Sequence, residues 1–219
     1  MESGELLTSE VIAKRLGTSH VGMEKLLEAC VGLNFLRVEK KGNKGLYGNT
    51  TLANLYLAKS SVKSQYYYMQ LHSEVIYPCL QYLTDAVREG KSQIKSIYGP
   101  SAKDFFDALY SSEERMQKYF WALQNTWNMF GREVMTAFDL SHFQLICDLG
   151  GGGVLVVESI LNDDRSGPLE AHFNSIKLLL NTDGKIRTLS EHNELFSTAG
   201  FKKVQAKKGR FYGTVLGRK

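Results

Sequence analysis

Four consecutive glycines, Gly150–Gly153, follow Cys147, Asp148 and Leu149, and the apolar run Val154–Leu161 (VLVVESIL) comes straight after them. A strand that ends in an acidic residue and runs into glycines can bring backbone N–H groups close to a nucleotide cofactor. No Lys-Ser or Lys-Thr follows, which excludes a P-loop. A dinucleotide fold requires a helix next, then a second strand with an acidic ribose ligand roughly 20 residues on. Such a crossover takes about 30 residues, and none fits between Gly153 and Val154. The loop therefore reads as a cofactor cradle spliced directly onto another buried strand.

Little else in the chain has the spacing of a reactive centre. The three cysteines, Cys30, Cys79 and Cys147, stand far apart in apolar surroundings without a CxxC pair. They read as reduced core residues of a cytoplasmic protein, with no disulfide framework and no metal site. The five histidines are His20, His72, His142, His172 and His192. A net charge of +4 collects in Lys40–Gly45 and Lys202–Arg210, runs that suit a solvated hairpin better than a nucleic-acid surface. No apolar stretch has the length of a membrane span, and the first residues, MESGELLTSE, are polar rather than a signal peptide.

The elements that must carry these residues fall into three spans, 1–62, 63–140 and 141–219. In the first, TSEVIAKRLG predicts a helix capped at Thr8 or Ser9 and ended by Gly17, with Val11, Ile12 and Leu16 inward. A second helix follows, with Met23, Leu26, Leu27, Cys30 and Leu33 at helical spacing, and then a hairpin around Gly42–Gly45. Helix, turn, helix and hairpin is a winged-helix order. Glu24, Lys25 and Glu28 largely cancel on the second helix, so the domain reads as a packing and dimerising module rather than a DNA reader.

The middle span is mostly helix, broken near Pro78, with a stripe of Phe105, Leu109, Met116, Phe120, Leu123 and Trp127. That stripe is core or dimer interface, and one or two of its aromatics could line a ligand cleft. From Phe143 onward strands and helices alternate. The order is FQLICDL, VLVVESIL, a helix through EAHFNSIKLLLNT, a helix through LSEHNELFSTAG, then KKVQAKK and FYGTVLGR. An α/β sheet follows from this pattern, with Gly184 and Gly200 where helix C-caps are expected.

Taken together, ALY (108–110), NTW (125–127), TAFDLSHF (136–143), CDLGGG (147–152), LVVESIL with DDRSGPL (155–169), LLLNTDGK (178–185) and STAGFKKV (197–204) resemble the acetylserotonin (hydroxyindole) O-methyltransferases. DAVREG (85–90) and the winged-helix start agree with that family. The resemblance covers nearly the whole chain in two collinear blocks. It implies a winged-helix and helical dimerisation domain followed by a Rossmann-like methyltransferase domain, mixed α and β. It also implies S-adenosyl-L-methionine as cofactor, a small hydroxyindole as substrate and a homodimer as the assembly.

Residue by residue, the resemblance places Tyr110, Trp127 and Gly150, Gly151 and Gly152 at the cofactor. Glu158 falls where related plant enzymes hold an acid that orients the catalytic imidazole. Lys177 and Asn181 fall where the family has a substrate-binding Asn and Gln. A lysine at 177 disfavours a neutral indole, whereas Asn181 still suits an acetamide. The family's His-Asp-Trp base motif, its acidic ribose ligand and its Asp-Phe-Phe adenine loop have no counterpart here; none of the five histidines precedes Asp-Trp. The resemblance thus implies an internally deleted and N-terminally short form. Three functions follow: an O-methyltransferase with impaired turnover, an inactive dimerisation partner of the full-length enzyme, or a DNA-binding protein. The last is weakest on the charge of its second helix.

Overall fold

The computed structural model describes residues 4–100, 102, 105–141 and 153–218, which fall into two compact units. One runs up to Gln70 and includes Trp121–Asn128; the other takes Leu71–Phe120 and the chain from Met129 onward.

In the first unit, β1 (Leu7–Thr8) leads into α1 (Ser9–Leu16) and α2 (His20–Gly32). The Thr8 hydroxyl accepts the Val11 N–H, and Gly17, at φ +64°, ends the helix in a conformation that costs glycine little. Ser19 caps α2 by accepting the Gly22 N–H. The hairpin β2 (Leu36–Lys41) and β3 (Lys44–Asn49) forms an antiparallel sheet with β1 in the order β1-β3-β2, and α3 (Thr51–Tyr56) follows. Its core is Ile12, Ala13, Met23, Leu27 and Tyr47, with Leu7, Val31 and Leu36 packed on it.

Half of the expected inward positions face solvent instead: Val11, Leu16, Leu26 and Leu33 are exposed, Leu16 and Leu33 by about two-thirds. So short a helix as α1 buries one narrow stripe, Ser9, Ile12 and Ala13, and Leu16 lies past it.

Helices α4 (Tyr66–Leu71), α5 (Tyr77–Leu80), α6 (Leu83–Glu89), α7 (Ile94–Tyr98) and α8 (Phe105–Leu109) are short; α9 (Glu113–Met135) has 23 residues. One π-helical turn, His72–Ile76, joins α4 to α5 just ahead of Pro78, whose missing N–H breaks the regular ladder. The stripe expected along 105–127 is only partly core. Leu109 is buried, but Phe120, Leu123 and Trp127 are exposed, while Ala122, Asn125 and Val134 take the inner face of α9.

In the second unit VLVVESIL, expected as one strand, is two. β4 (Gly153–Glu158) and β5 (Ile160–Leu161) join different sheets. The break falls at Ser159, which is buried with its Oγ bonded to the Asn174 amide. β4 pairs antiparallel with β8 (Gly213–Arg218), and β8 pairs antiparallel with β7 (Lys203–Lys208). β5 pairs parallel with β6 (Arg187–Thr188). Helix α10 (Leu169–Asn181) ends at Thr182, so Gly184 is not its cap; Gly200, at φ +83°, follows the cap of α11 (Leu189–Thr198) as expected.

Helix α11 packs on the sheet through Phe196, against Ile160 and Val215, with Val154 and Val156 of β4 at the margin. Two glycines permit this approach. A Cβ at Gly217 would run into the Phe196 ring, and one at Gly213 into the Ile160 side chain. A second cluster joins Cys79 and Ala86 to Leu180 of α10, all three fully buried. Residues 142–152 lie outside the described residues, and with them the expected strand Phe143–Leu149, Cys147 and the loop glycines Gly150, Gly151 and Gly152.

Candidate functional site

Glu158 is the last residue of β4, opposite Gly213, at the carboxyl end of the strand where α/β sheets gather their ligands. Its side chain is half-exposed, and Oε2 lies 3.7 Å from Nε2 of His192, a buried residue of α11. Among the described residues that nitrogen has no hydrogen-bond partner. The pair is therefore a carboxylate open to solvent with a buried imidazole behind it. Its position follows from the α11 cap. The Thr188 hydroxyl accepts the Glu191 N–H at 3.2 Å, and the Glu191 carboxylate accepts the Thr188 N–H at 2.8 Å. That bond, with Lys185 and Arg165 alongside, draws the Glu191 carboxyl down to about 2.

Lys177 and Asn181 stand one turn apart on α10. Asn181 is buried and its amide is engaged: Nδ2 donates to Lys177 O at 3.0 Å, and Oδ1 lies 3.3 Å from the Cys79 thiol. The same thiol lies 2.9 Å from Val75 O and 3.4 Å from the Tyr98 hydroxyl. Burial pushes both the Cys79 thiol and the Tyr98 phenol upward, so each stays protonated. Lys177 is half-buried, and burial holds its ammonium below the usual lysine value.

Tyr110, just past α8, is half-exposed in a group of rings with Phe106, Tyr119 and Phe120, and its ring stacks on Phe120 at 6.3 Å. Trp127 is half-exposed on the part of α9 that belongs to the first unit. In that unit Trp121 packs on Tyr67 at 4.6 Å, and the Asn125 amide oxygen accepts the Tyr67 N–H. The structure thus gathers Glu158 with His192, and Asn181 with Cys79 and Tyr98; Lys177 contributes only its backbone carbonyl to Asn181.

Sequence reading missed His192 as the partner of Glu158. The available signal was its i,i+4 spacing from Phe196 on an apolar helix face. Nothing in the sequence signals the Cys79–Asn181 contact across 102 positions.

A cavity of about 220 Å³ is lined by Phe130, Glu133, Val134, Lys207, Tyr212 and Thr214 among others. It contains none of the expected site residues. Among the described residues no three His, Cys, Asp or Glu side chains converge as a metal site, and no helix is long and apolar enough to cross a membrane.

The family model for an O-methyltransferase dimerisation domain matches residues 1–59, and that for an O-methyltransferase domain matches 80–153 and 151–202. The two stretches of the second match meet at 151–153. Acetylserotonin O-methyltransferase of Gallus gallus is 37% identical over 308 aligned positions, covering 100% of this chain and 89% of the relative. Those 308 positions exceed the 219 residues of the chain by 89. The Homo sapiens protein of the same name is 31% identical, covering 99% of this chain and 88% of the relative. The crystal structure of human N-acetylserotonin methyltransferase in complex with SAM superposes with a TM-score of 0.91 at 29% identity, over 100% of this chain and 88% of that one.

Proposed function

The chain belongs to the O-methyltransferase family, on its acetylserotonin O-methyltransferase branch, and from that premise we propose an S-adenosyl-L-methionine-dependent O-methyltransferase of this type whose turnover is impaired. The single observation that carries the reading is the full-length match to acetylserotonin O-methyltransferases, through the dimerisation domain and both flanks of the methyltransferase domain. The substrate class is a hydroxyindole and the assembly a cytoplasmic homodimer, built through the winged-helix and helical region.

The residues present fit the cofactor in part. By the resemblance Tyr110 and Trp127, each half-exposed in its own unit, are the rings for an adenine or a sulfonium; Gly150–Gly152, the family's glycine loop, lie outside the described residues. When bound, the cofactor supplies the methyl group. The acidic ribose ligand and the His-Asp-Trp base have no counterpart in the sequence. Affinity falls accordingly, and the substrate oxygen loses its dedicated proton acceptor, worth about 10²–10⁴-fold in rate. Glu158 is the remaining carboxylate at the strand end and takes the proton in its place. Asn181 falls where the family binds an acetamide, but its amide is buried and engaged by Lys177 O and the Cys79 thiol; Lys177 sets a positive charge against a neutral indole.

A second reading is an inactive chain that pairs with full-length enzyme through its first unit. It is favoured by the two stretches that meet at 151–153 and by the 89 aligned positions without a residue, as an internal deletion would produce. Titration calorimetry with S-adenosylmethionine, competed by S-adenosylhomocysteine, separates the readings. Saturable binding that is lost in Trp127→Ala supports the impaired enzyme. A folded sample that binds nothing, yet forms mixed dimers with full-length enzyme, supports the partner.

A further inference from the structure

The inner stripe of α11 is Leu189, His192 and Phe196, at i, i+3 and i+7, and its two apolar members belong to the cluster that packs on β4. His192 is the exception. Its side chain is 5% exposed, and among the described residues Nε2 is buried without a hydrogen-bond partner. A leucine or phenylalanine would fill the same space and leave no polar atom unmatched, which in a core is a cost. The imidazole therefore calls for an explanation. Among the described residues one charged group stands near it, Oε2 of Glu158 at 3.7 Å.

The two groups differ in how far each can move. The ring is held from several sides. Thr188 and Glu191 close the capping box directly before it, Arg165 and Lys185 pair with the Glu191 carboxylate, and Asp163 accepts the Ser190 N–H at 3.1 Å. Phe196, one turn further on, is packed against Ile160 and Val215. Glu158 is fixed through its backbone, where β4 pairs with β8 at Gly213. Its side chain is 45% exposed and, among the described residues, makes no hydrogen bond and no other ion pair. A turn of that side chain by about 1 Å closes the gap to the ~2.7–2.9 Å of a charge-assisted hydrogen bond.

We propose that His192 is a positioning residue: its Nε2–H donates to the Glu158 carboxylate and holds it in one orientation at the end of β4. The proposal rests on the reading of Glu158 as the group that takes the substrate proton. A proton acceptor works only when it is aimed at the oxygen it serves, and an untethered glutamate at the surface samples many rotamers. The ring removes that freedom from one side of the carboxylate and leaves the exposed side open. Buried behind Glu158, it does not itself meet the substrate.

The test uses the full chain with nitrogen-15 in its histidines. The Nε2–H proton of His192, assigned by its loss in His192→Phe, should be visible by NMR and exchange slowly with solvent. Glu158→Ala should speed that exchange about tenfold, the factor one hydrogen bond is worth. Glu158→Gln keeps an oxygen in the same place and should retain most of the protection. Methyl transfer from S-adenosylmethionine is read in parallel, with N-acetylserotonin as the hydroxyindole. His192→Phe should lower kcat about tenfold at unchanged KM, and His192→Gln, which keeps an N–H near the place of Nε2, should recover most of it. Neither substitution should matter in a Glu158→Ala background. Exchange at Nε2–H that ignores Glu158 overturns the tether, whatever the turnover. So does a kcat loss that persists in full in the Glu158→Ala background, for then the ring acts by packing alone. A chain that transfers no methyl group while the exchange still follows Glu158 counts against the enzyme and for the contact. If His192→Phe loses its circular dichroism, His192→Gln gives the assignment and the exposed Glu158 substitutions carry the test.

Discussion

Gly217→Ala tests how tightly α11 packs on the sheet. Gly217 lies in β8, the central strand, hydrogen-bonded to β4 on one side and β7 on the other, so its backbone cannot retreat. A methyl group there meets Cδ1 and Cε1 of Phe196, itself buried against Ile160 and Val215. Overpacking a closed core costs about 1–3 kcal/mol, and a strand held on both edges puts this site near ~2. Alanine also stiffens the unfolded chain, which offsets about 0.4–1 kcal/mol. The net loss is about 1.5 kcal/mol, or a fall in Tm of roughly 3–6 °C for a chain of this size.

Urea and thermal melts followed by far-ultraviolet circular dichroism read both quantities. Phe196→Leu should lower stability by itself, yet cost at least ~1 kcal/mol less in the Gly217→Ala background, because the ring that collides is gone. A Gly217→Ala protein within about 0.5 kcal/mol of the parent, or strictly additive effects in the double variant, would refute the close approach of helix and strand.

Leu180→Ala should cost about 2–5 kcal/mol by chemical denaturation, since the side chain is fully buried between α10 and the Cys79 cluster. Thr188→Ala removes one half of the α11 capping box and should cost about 1 kcal/mol in the same melts. The Glu191 carboxyl, drawn down to about 2, adds stability that is complete above its unfolded value near 4.5 and lost as pH falls toward 2. Glu191→Gln should therefore flatten the acid limb of a Tm-against-pH profile. Lys177→Met should raise Tm at pH 7, where the half-buried ammonium is charged. The gain should shrink as pH climbs toward 10, because the native state releases that proton before the unfolded chain does.

Most elements were legible because their ends carry local signals. Thr8, Gly17 and Gly200 each did what their side chain or their lack of one permits, and the hairpin turned where its glycines stand; the Thr188 cap of α11 went unread. The inward faces were less legible. Val11, Leu26, Leu123 and Trp127 have helical spacing, yet spacing alone cannot say whether an apolar face meets its own core or a surface. VLVVESIL read as one strand because its apolar run is continuous; the break at Ser159 depends on Asn174, fifteen residues away. For the candidate site, Glu158 was legible through the resemblance, as the acid that orients a catalytic imidazole. Its neighbour His192 was not, since that contact is made by folding α11 onto β4.

The contact between Cys79 and Asn181 also bears on how the chain could be divided. Cys79, Ala86 and Tyr98 stand before the point where the two matched stretches meet, and Leu180 and Asn181 stand after it, all in one unit. Gln93 N–H donates to Leu180 O as well, at 3.1 Å. Contacts between side chains and backbone far from residue 151 therefore hold the tail to the earlier helices. A chain nicked there should hold together through these contacts, and two fragments ending and beginning near that point should reassociate when mixed. A stop codon at the same position would instead strip the lid from Cys79 and leave α5 and α6 with an uncovered apolar face.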